Sequence, residues 1–181
     1  RGSVTVKLKT DYFKDVNIKR LRDDGVMTIY TGPIDRFYDY QFGELSWRSL
    51  KLDKEIVNVH DFQGCPVMNY NDPEPKYTRI HEFKHFHPER ADNPTKWYGY
   101  APDYDKTVIV KEYSKTWRRG DEPYYPVNTA KDKAMLAKYQ KLVEADKKNR
   151  IFFGGRLGEY AYYDMDKSFA SALKLVDKLA G

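Results

Sequence analysis

Cysteine occurs once in this chain of 181 residues, at Cys65. One thiol excludes an internal disulfide and suits a reducing, cytoplasmic compartment. With no Cys/His signature around it, Cys65 reads as a small apolar filler rather than a nucleophile. Long apolar runs are missing too. No stretch approaches the ~20 apolar residues that span a bilayer, so no membrane contact is expected. The opening segment RGSVTVKLKT alternates and lacks the apolar block of a signal peptide. The chain starts on Arg1 and not on Met, as a piece of a longer polypeptide would. Also lacking are a GxGxxG turn, a Walker loop, GxSxG and HExxH, so hydrolase and nucleotidase readings have no signature. A bound dinucleotide would need its main phosphate loop outside this segment. Charge of one sign is weak: 32 basic against 27 acidic residues leave +5, and the basic residues are scattered. That gives a nucleic-acid stripe little support, and no nucleic-acid partner is expected, whereas an acidic small molecule such as a phosphate ester suits the balance. His81, His85 and His87 invite a metal reading, but no carboxylate or cysteine is read as completing a ligand set, and His60 is far off; no metal is expected.

What is abundant is tyrosine. There are 16 Tyr beside 9 Phe and 3 Trp, 15% aromatic in all. Most must pack as hydrophobes, yet each brings a hydroxyl that wants a partner, and the surplus favours a polar aromatic cleft able to hold a sugar or nucleotide.

VTVKLKTDYF alternates like a strand, and VMTIYTG reads as a short buried strand stopped by Gly32 and Pro33. LSWRSLKL, EIVNVHDF, CPVMNY, YTRIHEFKHF and KTVIVKEYS are strand-like pieces with no helix between them, which predicts an antiparallel sheet. Within YTRIHEFKHF, alternation places Tyr77, Arg79, His81, Phe83 and His85 on one face. Residues 87–105 read as a long surface segment, unusual enough in a compact domain to suggest a role. Two helices follow. The first starts at Asn128 or Thr129; the second, from about Asp164, is expected to bury Met165, Phe169, Ala172, Leu173, Val176 and Leu179.

Chemistry concentrates in FFGGRLGEYAYYDMD, residues 152–166. A short strand runs into Gly154-Gly155, then Arg156 and three tyrosines, then a helix start. Glycine there lets backbone approach a ligand, and a helix N-terminus suits an electron-rich edge. Asp164 serves equally as a plain N-cap. Arg156 has Glu159 as its obvious acidic neighbour. EPYYPV holds Tyr124 and Tyr125 between prolines, either as aimed phenols or as a rigid connector. Arginines and phenols together suit a diphosphate.

In this order, IYTGPIDRFYDYQFGELSWRSL, VMNY, YTRIHEFKHF, KEYS, EPYYPV and FFGGRLGEYAYYDMD resemble the later half of UDP-galactopyranose mutases, over about Val4 to Lys178. The resemblance implies interconversion of UDP-galactopyranose and UDP-galactofuranose for cell-surface polysaccharide, through covalent catalysis by N5 of reduced FAD. It implies catalytic roles for Arg79 and Arg156. It places Arg79, Tyr124 or Tyr125, Tyr162 and Asn69 on the substrate, and Arg48, Arg156, Asp164 and Met165 beside the flavin. Arg48 stands in WRSL, where the family usually has YRSL. The family's dinucleotide fingerprint and helical domain are not in this chain. The piece is therefore expected to lack activity and to hold FAD weakly or not at all, and its partner would be the missing N-terminal part. The expected fold is α+β: residues 1–41 and 129–181 belong to a split FAD-binding domain, and residues 42–128 form an antiparallel substrate-binding sheet. Exposed edges would favour a homodimer. A non-catalytic module for nucleotide sugars or glycans is the alternative, and a nucleic-acid-binding domain a more distant one.

Overall fold

The computed structural model describes residues 4–90 and 105–180. In chain order they form α1 (Tyr12–Asp15), α2 (Ile18–Asp23), β1 (Thr28–Tyr30), α3 (Ile34–Phe37), β2 (Trp47–Val57), β3 (Val67–Asn69), β4 (Arg79–Glu82), β5 (Thr107–Thr116), β6 (Tyr125–Pro126), α4 (Ala130–Asp146), β7 (Ile151–Phe153), α5 (Gly155–Gly158) and α6 (Met165–Ala180). The class is α+β, as expected. Most of the predicted surface segment 87–105 lies outside the described residues; Pro88–Arg90 at its start is a 3-10 turn. The chain divides into two compact units, Arg1–Ser46 with Pro126–Gly181, and Trp47–Tyr125.

The first unit is built on two parallel strands, β1 and β7, registered from Thr28↔Ile151 to Tyr30↔Phe153. Aromatic rings cover them. Tyr30 lies 4.9 Å from Phe37 and 5.7 Å from Phe153, and Phe37 lies 4.9 Å from Phe153, centroid to centroid. Such pairs contribute about 0.5–1.5 kcal/mol each beyond their burial. Much of the tyrosine surplus is thus core. Tyr139 is fully buried, donates to the Gly43 carbonyl at 2.7 Å and accepts from the Phe42 N–H at 3.2 Å. The place where the chain leaves this unit is tied down by Ser46. Its carbonyl accepts from the Tyr160 hydroxyl at 2.6 Å and from the Val127 N–H at 3.0 Å, and its own N–H donates to Asp132 at 3.0 Å. Asp132 also closes a capping box with Thr129 at the start of α4, which selects Thr129 over Asn128 as the cap.

Two expectations fail here. The predicted N-terminal strand does not form: residues 4–11 join no ladder, the backbone bends at Lys9 with φ 52°, and Val4, Val6 and Leu8 are exposed. The last helix does not bury its stripe: Met165 is 81%, Phe169 69%, Leu173 66% and Val176 56% exposed. Periodicity fixes which face is apolar, but a face is buried only if another element lies against it, and none of the described residues covers this one.

The second unit carries the sheet β3-β4-β5-β2-β6. LSWRSLKL and the start of EIVNVHDF, read as two strands, form the single strand β2, paired antiparallel with β5 from Arg48↔Thr116 to Val57↔Thr107, and residues 58–62 lie outside it. YTRIHEFKHF is strand only over Arg79–Glu82; Phe83–Phe86 turns as 3-10 helix, so Phe83 and His85 leave the face shared by Arg79 and His81. The reason is Glu82. Its side chain is fully buried and accepts from the Thr107 hydroxyl at 2.7 Å and the Gln63 N–H at 2.9 Å, with Lys84 at 3.3 Å and His85 at 3.4 Å. Bringing Lys84 and His85 back over one carboxylate requires the chain to curl.

Register assigns the faces. Asn69↔Arg79, Arg79↔Glu112 and Glu112↔Leu52 are successive cross-strand partners, so all four share one face with His81 and Arg48. The other face bears buried Ser49, Ile80, Glu82 and Ile109.

Candidate functional site

Each unit presents its own group of predicted residues. On the sheet of the second unit, exposed Asn69 stands opposite half-buried Arg79, side by side on the same face. Arg79 directs Nε at Glu112 Oε1 at 3.5 Å, too long for a full hydrogen bond, and Nε has no other partner. Glu112 is buried and faces His81 Nε2 with its second oxygen at 3.1 Å; the Thr78 hydroxyl donates to its backbone carbonyl at 3.2 Å. A carboxylate only accepts, so His81 carries its proton on Nε2. The imidazole stacks on Phe83 at 5.8 Å. Sequence reasoning overlooked Glu112. The signal was present, since alternation in KTVIVKEYS puts Glu112 on the parity of Val108 and Val110, a lone carboxylate on an apolar row.

Arg48 lies on this face but not beside Arg79. Its partner on β5 is Thr116, four residues from Glu112, a separation of about 13 Å along the strand. Its neighbour is β6: the Tyr124 N–H donates to the Arg48 carbonyl at 2.9 Å, and the Tyr124 and Tyr125 rings lie 6.4 Å apart, both half-buried. The choice between these phenols stays open.

In the first unit, Arg156, Tyr162 and Asp164 come together ahead of α6. Extended Gly154 and Gly155 at φ 75° turn the chain out of β7, a conformation that favours glycine, and nothing would touch a Cβ at Gly155. Arg156 Nε then donates to the Tyr163 carbonyl at 2.8 Å, and Nη2 reaches the same oxygen. The guanidinium stands 5.9 Å from the Tyr162 ring and 4.0 Å from Asp164. Asp164 is thus an acidic neighbour that the sequence reading did not name. Glu159 accepts from the Ser171 hydroxyl at 2.8 Å and bonds Tyr163, whose phenol this bond and burial push up to about 12. Asp164 does accept from the Ser168 N–H through its backbone carbonyl, so it also stands at the helix start. Met165 follows, fully on the surface. A cavity of about 1050 Å³ opens between α4 and α6, lined by Phe153, Lys141, Glu144 and Lys174, and none of the predicted site residues lines it.

The histidines do meet carboxylates, contrary to the expectation from the sequence. Asp61, Glu82 and His85 cluster within 4.8 Å. The Lys84 ammonium lies 3.3 Å from Glu82 and 3.8 Å from Asp61, so both carboxylates of this cluster already face a cation of the protein. Glu82 is saturated by donors and acts as a clasp on the loop at Phe62 and Gln63.

Comparison with known proteins decides the lineage. The model of the UDP-galactopyranose mutase family matches residues 1–162. The chain belongs to the UDP-galactopyranose mutase family. It is 38% identical to a probable UDP-galactopyranose mutase of Klebsiella pneumoniae over 97% of the chain and 41% of that protein. It is 37% identical to a dTDP-fucopyranose mutase of Escherichia coli over 80% of the chain and 35% of that protein. A UDP-galactopyranose mutase of Mycoplasma pneumoniae is 34% identical over 83% of the chain and 35% of its own length. The chain thus spans about two-fifths of the length of the mutases it matches. Among the described residues no helix is long and apolar enough to cross a membrane.

Proposed function

We propose that the polypeptide carrying this chain interconverts UDP-galactopyranose and UDP-galactofuranose for cell-surface polysaccharide, in the cytoplasm, with reduced FAD. The observation that carries this reading is the 38% identity to a mutase across 97% of the chain. The geometry supports it from below. Arg79 holds its charge against a single long contact, on a face it shares with Asn69 and with Arg48. An incompletely neutralised guanidinium beside neutral donors suits a diphosphate, which gains charge as it leaves the sugar. Tyr125, or Tyr124 in its place, adds a phenol donor at the β6 edge. In the first unit, Tyr162 is the second phenol proposed for the diphosphate.

The first unit fits one end of a flavin. Gly155 leaves backbone bare, Arg156 is locked by the Tyr163 carbonyl, and Asp164 and Met165 stand at the open first turn of α6. We place the isoalloxazine edge against Arg156, Asp164 and Met165. When bound, the reduced flavin supplies the nucleophile for the sugar carbon. Arg156 holds charge beside that ring, and Arg79 stabilises the departing diphosphate. The described residues include no loop to cradle the pyrophosphate of FAD, so the isolated chain holds FAD weakly and is inactive. Its partner is the N-terminal remainder of the same enzyme.

A dTDP-fucopyranose substrate is the second reading, because a relative of that name is nearly as similar. The test uses the intact enzyme, chemically reduced, with UDP-galactofuranose and dTDP-fucofuranose supplied separately. Turnover of the first assigns the substrate, and Arg79→Ala is expected to lower it by roughly 10²-fold or more, the scale for removing one donor to developing charge. Full activity in Arg79→Ala, or turnover without reduced flavin, would refute the assignment.

A further inference from the structure

Glu112 faces three donors: Arg79 and His81 pull in different directions along β4, and the Thr78 hydroxyl lies 3.5 Å from Oε1. Arg79 and His81 are two residues apart on one strand, and Glu112 sits opposite Arg79 on β5 with its Oε2 committed to His81 at 3.1 Å and its Oε1 only 3.5 Å from Arg79 Nε. Because the carboxylate is buried at 7% exposure, it cannot satisfy its oxygens from water, and its rotation decides who receives them. Left alone, a carboxylate beside a guanidinium closes into a paired fork of two short bonds. It does not do so here: Oε2 faces His81, itself braced by the Phe83 ring, and Oε1 lies 3.5 Å from both Arg79 Nε and the Thr78 hydroxyl.

We propose that His81 is a positioning residue: by donating Nε2–H to Glu112 it holds that carboxylate turned away from a full ion pair with Arg79, and so keeps the Arg79 guanidinium oriented but uncommitted for an anionic ligand of the diphosphate class. The inference rests on the proposed role of Arg79 and adds what sets that residue's availability. His81 touches no substrate in this scheme. Its effect runs entirely through one carboxylate.

The test is UDP affinity, measured by titration calorimetry on the intact enzyme. Glutamine places an amide N–H where Nε2 of histidine stands, while asparagine is too short to reach Glu112. His81→Asn is therefore expected to free Glu112 to close on Arg79 and weaken UDP binding about tenfold, the scale of one charge-assisted bond. His81→Gln is expected to bind UDP as the parent does. Adding Glu112→Gln to His81→Asn removes the competing charge and is expected to restore affinity, a coupling that a purely structural role for His81 does not produce. Equal UDP affinity in His81→Asn and the parent, or equal loss in the Asn and Gln variants, would overturn the inference. Arg79→Ala separates the two levels. If it leaves UDP affinity unchanged, the assignment of Arg79 fails and this inference with it; if it weakens UDP while His81→Asn does not, the inference about His81 fails alone.

Discussion

Replacing Glu82 by glutamine tests whether the carboxylate on the closed face of the sheet is a clasp. The side chain is fully buried, yet it receives the Thr107 hydroxyl at 2.7 Å, the Gln63 N–H at 2.9 Å and the Phe62 N–H at 3.2 Å, with Lys84 alongside. Burial alone pushes its acidity toward the neutral form. The Thr107 hydroxyl, the two amides and the Lys84 ammonium outweigh burial, and the carboxyl titrates below its usual range. Glutamine keeps the shape but turns one acceptor into a donor facing donors. The loss is one charge-assisted hydrogen bond or slightly more, about 2–3 kcal/mol. Because the bonds converge on two consecutive amides, the cost should appear locally. Hydrogen exchange at Phe62 and Gln63, corrected for intrinsic rates, is expected to speed up by roughly 30- to 150-fold. The parent should show an acid dependence that the variant lacks. A carboxyl depressed in the folded state adds stability above its unfolded value near 4.3, and this stability is lost as pH falls through the folded value. Unchanged exchange at both amides, or an acid dependence that survives in Glu82→Gln, would refute the reasoning.

Three further outcomes follow from the first unit. Gly155→Ala forces a Cβ into φ 75° and should lower stability by about 1–2 kcal/mol, read as a lower thermal midpoint, with Gly155→Asn milder. Thr129→Ala opens the capping box on α4 at a cost of about 1 kcal/mol in urea unfolding. Tyr160→Phe removes the hydroxyl that donates to the Ser46 carbonyl at 2.6 Å and should cost about 1 kcal/mol by the same measurement; burial has pushed this phenol up to about 12, so the parent should show no phenolate signal from it below pH 10.

Legibility in the sequence followed the range of the interaction. Strand β5 was readable because KTVIVKEYS is rich in β-branched residues and holds no Gly or Pro, and α4 because Thr129 and Asp132 declare its start locally. The break in YTRIHEFKHF was not, because its cause is the convergence of Thr107, Phe62 and Gln63 on Glu82, and no window of sequence contains all of them. The same holds for Arg156. Its bonds to the Tyr163 carbonyl and its approach to Asp164 depend on how the chain turns after Gly155, which no local spacing states. Alternation in residues 4–10 and the stripe of α6 were legible as patterns, but a pattern states which side is apolar and not what lies against it. The tyrosine surplus is in large part core, as its hydrophobic packing predicts: Tyr30, Tyr139 and Tyr160 are buried, and Tyr162 stands exposed near Arg156.

The two faces of one sheet treat their charged side chains differently. On the closed face, cations are matched at short range: Lys51 meets Asp53 at 2.9 Å, and Lys111 meets Glu55 at 2.6 Å. Exposed pairs of this kind contribute about 0–1 kcal/mol, but they leave nothing for an incoming anion. The open face works the other way. Glu112 is buried enough to need two partners, takes one good bond from His81, and leaves Arg79 Nε within 3.5 Å without a full bond. Leaving that pair open costs stability in the free protein and lowers the cost of binding, because the guanidinium gives up little when a diphosphate arrives. Incomplete satisfaction at Arg79, set against the several donors that converge on Glu82, is the physical contrast on which the proposal for Arg79 and Glu112 rests.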